Sequence, residues 1–101
     1  MKTIVLLCSS GISTSVLVQK NLQAATVCEG FDFEIFTDAS LNASRWNHIA
    51  DCILLAPHIH FQKDEISRQC PETPIDAIDI KTYGKADGLE TLNLARRLMG
   101  I

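Results

Sequence analysis

The sequence predicts an α/β fold: a single domain over residues 1–101, built as three layers α/β/α around a four-stranded parallel sheet in the order 2-1-3-4. Three observations carry that prediction. Short apolar runs at 4–7, 31–37, 52–56 and 75–80 alternate with stretches of helix-type sequence, giving the order β-α-β-α-β-α-β-α. Strict alternation of this kind folds as a parallel sheet with helices on both faces. The third run, Cys52-Ile-Leu-Leu-Ala, is continuously apolar, as a central parallel strand must be, whereas the second alternates apolar and polar residues and suits an edge.

Each element has its own signal. Ile4 to Leu7 is a β-branched and apolar run that ends at Cys8, followed by a short polar loop with one glycine. Helix-type sequence takes over at Val16 and runs to about Cys28. Leu17, Ala24, Ala25 and Cys28 fall near one face, and Val18, Leu22 and Ala25 continue it. Gly30 stops this helix. After the alternating strand 31–37, Asp38 or Ser40 can cap a short helix through Leu41, Ala43, Trp46 and Ile49. Pro57 ends the third strand, and a helix around Phe61–Gln69 stops before Pro71. Ile75–Ile80 is the fourth strand. The last helix, about Gly88 to Met99, is expected to bury Leu89, Leu92, Ala95, the stem of Arg96 and Met99.

Composition narrows the function. A chain of 101 residues is long enough for a core of its own. The formal net charge of −3 argues against nucleic acid, which demands a basic face. No run approaches the ~18 apolar residues of a membrane span, and the apolar stretch near Met1 is too brief for a signal peptide. The four cysteines, Cys8, Cys28, Cys52 and Cys70, lie far apart with no C-x-x-C pair, so reduced thiols in a cytoplasmic protein are expected. Cys28, Cys52 and Cys70 read as packing residues.

The chemistry concentrates at residues 8–15. A strand that delivers a cysteine into a loop opening a helix makes an anion trap with a nucleophile at its base. Backbone N–H groups of the loop and of the first helical turn lack intrahelical acceptors, and the helix dipole adds partial positive charge there. Ser9, Ser10, Ser13, Thr14 and Ser15 add side-chain donors, and Gly11 and Ile12 add backbone donors. A small buried cysteine and ordinary serine caps would explain part of this, but the run of polar residues exceeds what one cap requires. The residues read as a loop that carries a phosphoryl group on Cys8.

The stretch Cys8-Ser-Ser-Gly-Ile-Ser-Thr-Ser, following Ile-Val-Leu-Leu, closely resembles the phosphorylation loop of enzyme IIB components of the bacterial sugar phosphotransferase system, lactose/cellobiose/chitobiose branch. Leu54-Leu-Ala-Pro-His-Ile and Ile78-Asp-Ile-Lys-Thr-Tyr-Gly-Lys-Ala-Asp-Gly resemble two further segments of that family, so the likeness spans nearly the whole chain. The resemblance implies a four-stranded parallel sheet with no metal or other cofactor. It implies that Cys8 takes phosphate from a phosphohistidine of a IIA partner and passes it to a sugar at the IIC membrane transporter. The sugar would be a β-linked disaccharide such as cellobiose, chitobiose or lactose. Residues 9–15 become the phosphate cradle, and Pro57, His58, Tyr83 and Asp87 its rim. One position departs from the family pattern: the residue after Pro57 is usually glutamine, and here it is His58.

Two other readings stand beside this one. Low-molecular-weight phosphatases and arsenate reductases share a cysteine loop on a similar fold, but use Cys-x5-Arg. Thr14 occupies the position six residues beyond Cys8, and no arginine occurs between Met1 and Asn42. Without a guanidinium fork or an Asp-Pro acid, stabilisation of a hydrolytic transition state would be poor. A non-catalytic binding domain is the third reading. His58 and His60 follow Pro57, where a loop is expected, and no Cys or carboxylate spacing completes a zinc set. His48 reads as surface or core trim, and Tyr83, Asp87 and Gly88 read equally as a turn and helix cap. Arg96 and Arg97 are expected to solvate the last helix.

Overall fold

The computed structural model describes residues 1–9 and 14–101. Its strands β1 (Lys2–Cys8), β2 (Phe33–Ala39), β3 (Cys52–Leu55) and β4 (Ile75–Ala77) form one sheet in the order β2-β1-β3-β4. Every pairing is parallel. The alternating strand is indeed the edge, and the continuously apolar one lies inside.

Register explains why β1 is apolar on both faces. Ile4 pairs with Ile35 on one side and Cys52 on the other, and Val5 pairs with Phe36 and Ile53. Paired residues share a face, and successive residues alternate. Ile4 and Leu6 therefore pack with Val18, Leu22, Leu92 and Ala95, which belong to helices α1 (Thr14–Cys28) and α4 (Gly88–Met99). Val5 and Leu7 pack on the opposite face with Ala43, Ile59 and Ile66. That face is covered by two 3-10 helices, Ser40–Trp46 and Pro57–Gln62, and by α2 (Lys63–Gln69). A five-residue helix, α3 (Ile80–Gly84), lies between β4 and α4.

The structure revises several element-level expectations. The buried stripe of α1 runs through Ser15, Val18, Leu22 and Thr26. Leu17 is half exposed, Ala24 is exposed, and Cys28 is exposed rather than packed, while Cys52 and Cys70 are buried. Val18 and Leu22 are buried as the apolar periodicity predicts, and two hydroxyl residues, Ser15 and Thr26, complete the stripe in place of Leu17, Ala24 and Cys28. After β2 the chain forms a 3-10 helix wrapped around one acceptor. The Asp38 carboxylate accepts from the Ala39 N–H, Asn42 Nδ2 and Trp46 Nε1 at 2.8, 2.8 and 2.9 Å, and from Arg45 at 3.2 Å. Strand β4 stops at Ala77, and Ile80 opens α3 instead, because Asp79 Oδ1 accepts the Thr82 N–H at 2.6 Å and caps the turn. The last helix has the expected bounds, but Leu89 is half exposed and Thr91 is buried in its place. Arg96 lies over the Phe31 ring, 4.8 Å from its centroid, rather than simply in solvent.

Candidate active site

The connection from β1 leads to β2 at one edge, and the chain then returns to place β3 on the other side of β1. In open parallel sheets the crevice beyond the carboxyl ends of two such strands is where ligands bind. Cys8 is the last residue of β1, and Pro57 begins the segment just after β3. The Ala56 N–H donates to Leu7 O at 2.9 Å, which seats the Pro57 segment beside Cys8. Sequence order alone therefore brings these two loops to one end of the sheet.

Side chains close the crevice from both ends of the Cys8 loop. Ser9 Oγ lies 3.3 Å from His58 Nε2. Ser15, buried in the first turn of α1, has its Oγ 2.6 Å from the Tyr83 hydroxyl. The His58 and Tyr83 rings meet edge to face with centroids 6.4 Å apart. Cys8 itself is 2% exposed, and Thr14 is exposed at the start of α1. Ser10, Gly11, Ile12 and Ser13, expected in the middle of the cradle, lie outside the described residues. Asp87 Oδ1 accepts the Glu90 N–H at 3.1 Å and caps α4.

The electrostatics keep Tyr83 neutral. Burial pushes its phenol up, the Ser15 bond pulls it partly back, and the Cys8 sulfur adds a smaller upward push. Tyr83 therefore keeps its proton across the physiological range. Beside it opens a mostly apolar groove of about 660 Å³, lined by Pro57, His58, His60, Ile78, Ile80 and Tyr83 among others. His60 Nδ1 donates to Pro57 O at 2.8 Å. Among the described residues, no group of three or more His, Cys, Asp and Glu side chains could hold a metal ion. Of the lining from Ala77 to Gly84, the sequence points only to Tyr83. The Asp79-x-x-Thr82 spacing was the available signal, since an aspartate three residues before a donor marks a helix start.

Fold and site together define a small doubly wound α/β domain with a cysteine at the head of a hydroxyl-rich loop, an arrangement suited to handling an anion. The chain belongs to the family described as PTS system, lactose/cellobiose-specific IIB subunit, whose model matches residues 3–94. It is 36% identical to the oligo-beta-mannoside-specific EIIB component of Bacillus subtilis, over 98% of this chain and 97% of that one. It is 34% identical to the cellobiose-specific EIIB component of Lactococcus lactis, over 97% and 96% of the two chains. The solution structure of a cellobiose-specific phosphotransferase IIB component from Borrelia burgdorferi superposes with a TM-score of 0.80 at 27% identity, covering 98% of this chain and 92% of that one. This chain is a sugar-specific IIB component, and such components are phosphotransferases that work with IIA and IIC partners. Phosphatase chemistry is not favoured.

Proposed function

We propose that Cys8 is the phosphoryl carrier of this IIB component. The thiolate sulfur attacks the phosphorus of a phosphohistidine on a IIA protein, forming the P–S bond as the P–N bond breaks and the electron pair returns to imidazole. A sugar hydroxyl held by a IIC transporter then attacks the same phosphorus, and the sulfur leaves as thiolate. Residues 9–15 supply the donors that hold the phosphoryl oxygens between the two steps. Pro57, His58 and Tyr83 form the rim, with Asp87 capping the helix behind it. Residues 1–101 act as one cytoplasmic unit, and among the described residues no helix is long and apolar enough to cross a membrane. The sugar is a β-linked disaccharide of the cellobiose, chitobiose or lactose type.

The observation that carries this reading is the position of Cys8. It ends the strand beside the sheet's switch point, at the head of the loop that opens α1. Donors fixed in the ground state hold a phosphate without speeding attack by water, and acceleration requires groups matched to the transition state. Arg45, the first arginine in the chain, is engaged by Asp38 at 3.2 Å. The phosphoprotein should therefore hydrolyse slowly alone and discharge quickly to membranes carrying the transporter and its sugar. Label loss that is equally fast with and without those membranes would contradict a relay.

A further inference from the structure

The two hydrogen bonds at the ends of the Cys8 loop have a common origin. Ser9 and Ser15 flank the loop in sequence, and among the described residues each side chain meets one from a distant segment. Ser9 meets His58, from the 3-10 helix after β3, at 3.3 Å. Ser15 meets Tyr83, from α3, at 2.6 Å. The two holding side chains then touch each other edge to face, 6.4 Å between centroids. A strap made from two distant segments thus joins both described ends of the loop.

We propose that His58 and Tyr83 are positioning residues for phosphoryl transfer, fixing Ser9 beside Cys8 and Ser15 in the first turn of α1 before phosphate arrives. The inference rests on the reading of Cys8 as carrier. The Ser15 and Tyr83 hydroxyls are joined at 2.6 Å, and either can be the donor. Ser15 is 1% exposed and Tyr83 is partly buried, so water competes little for the serine hydroxyl. Glutamine, the usual residue at position 58 in the family pattern, can donate and accept hydrogen bonds as imidazole does, and His58 fills the same place here.

The experiment measures transfer from a phosphorylated IIA protein of the lactose/cellobiose class, charged with radiolabelled phosphoenolpyruvate and the general phosphotransferase proteins. Tyr83→Phe keeps the ring and loses only the hydroxyl, and should slow the maximal transfer rate about tenfold, the worth of one hydrogen bond, with KM for phospho-IIA unchanged. The double variant Tyr83→Phe/Ser15→Ala should be no slower than either single variant. His58→Ala should slow transfer, and His58→Gln should restore it. Tyr83 is the chain's only tyrosine, so tyrosinate absorbance gives a readout that packing alone would not move: its titration should shift upward when Cys8 carries phosphate. Wild-type rates in Tyr83→Phe, additive losses in the double variant, or an unmoved tyrosine titration would each overturn the strap. Undiminished labelling of Cys8→Ser would instead overturn the carrier reading, and the strap with it.

Discussion

A Cβ added to Gly88 would stand 2.2 Å from the backbone oxygen of Asn21. The first residue of α4 thus rests directly on the backbone of α1, and Asn21 Nδ2 donates to Ala86 O at 2.8 Å across the same crossing. The acidic N-cap and the glycine do different jobs there: Asp87 satisfies a free N–H, and Gly88 permits the contact. Since backbone rather than a flexible side chain blocks the added carbon, Gly88→Ala must push the helices apart. We expect a loss of about 3 kcal/mol, the upper range for overpacking, read as a lower midpoint in urea unfolding. A variant as stable as the parent would show that the crossing is not tight.

Asp38 gives the fold an acid limit. Burial alone would raise its carboxyl, but bonds from Asn42, Trp46, the Ala39 N–H and Arg45 outweigh this and hold it at about 2. A depressed carboxyl stabilises the fold at pH above its unfolded value, near ~3.9, and that stability is lost as pH falls through about 2. The contribution is about 2 kcal/mol. Asp38→Asn should remove most of the pH dependence of unfolding in that window. Trp46, the single tryptophan and a donor to Asp38, reports the change by fluorescence.

Thiol chemistry should sort the cysteines by burial. Cys52 is fully buried, and burial followed by the nearby Asp51 charge pushes its thiol up to about 12. Burial also pushes Cys70 up, and its Sγ lies 3.3 Å from Ala43 O. Cys28 is exposed. Alkylation of the native protein at neutral pH should label Cys28 readily and spare Cys52 and Cys70 until unfolding. Rapid native labelling of Cys52 would mean that the sheet opens locally.

How much of this was legible beforehand follows from what each residue signals. The apolar run at Cys52 and the alternation at Phe31–Thr37 announced a central and an edge strand, and the sheet has that order. Runs of a single character carry their own meaning. In the stripe of α1, Val18 and Leu22 follow the apolar pattern, but Ser15 and Thr26 are polar residues buried with their own partners: Ser15 meets Tyr83, 68 residues away, and Thr26 Oγ1 donates back to Gln23 O at 2.7 Å. Helix α3 was missed because five residues hold too few turns for a periodic pattern, and only the Asp79 cap marks it. At the site, Cys8 and its hydroxyl-rich loop stand out in the sequence. The Ser9–His58 and Ser15–Tyr83 pairs, 49 and 68 residues apart in sequence, do not.

Docking should centre on the mouth of the crevice. Two partners must reach the same sulfur in turn, which favours small transient contacts, below about 1,200 Å² in total. Amide shift mapping with a phosphorylated IIA protein should perturb residues 9–16, Pro57–His60 and Thr82–Gly88. A response confined to the opposite ends of the strands, near Lys2 and Phe33, would sink this placement.

The central claim is that phosphate sits on Cys8, and mass spectrometry tests it most directly. The protein is incubated with phosphoenolpyruvate, the general phosphotransferase proteins and a IIA protein, then measured intact and after proteolysis. The account predicts a gain of one phosphoryl group on the peptide containing Cys8, released rapidly by iodine or mercury ions as a thiophosphate is. Cys8→Ser should stay unmodified while unfolding like the parent. A phosphoryl group that survives Cys8→Ser and vanishes when His58 or His60 is replaced would contradict the account, and would move the reacting atom to the segment after β3.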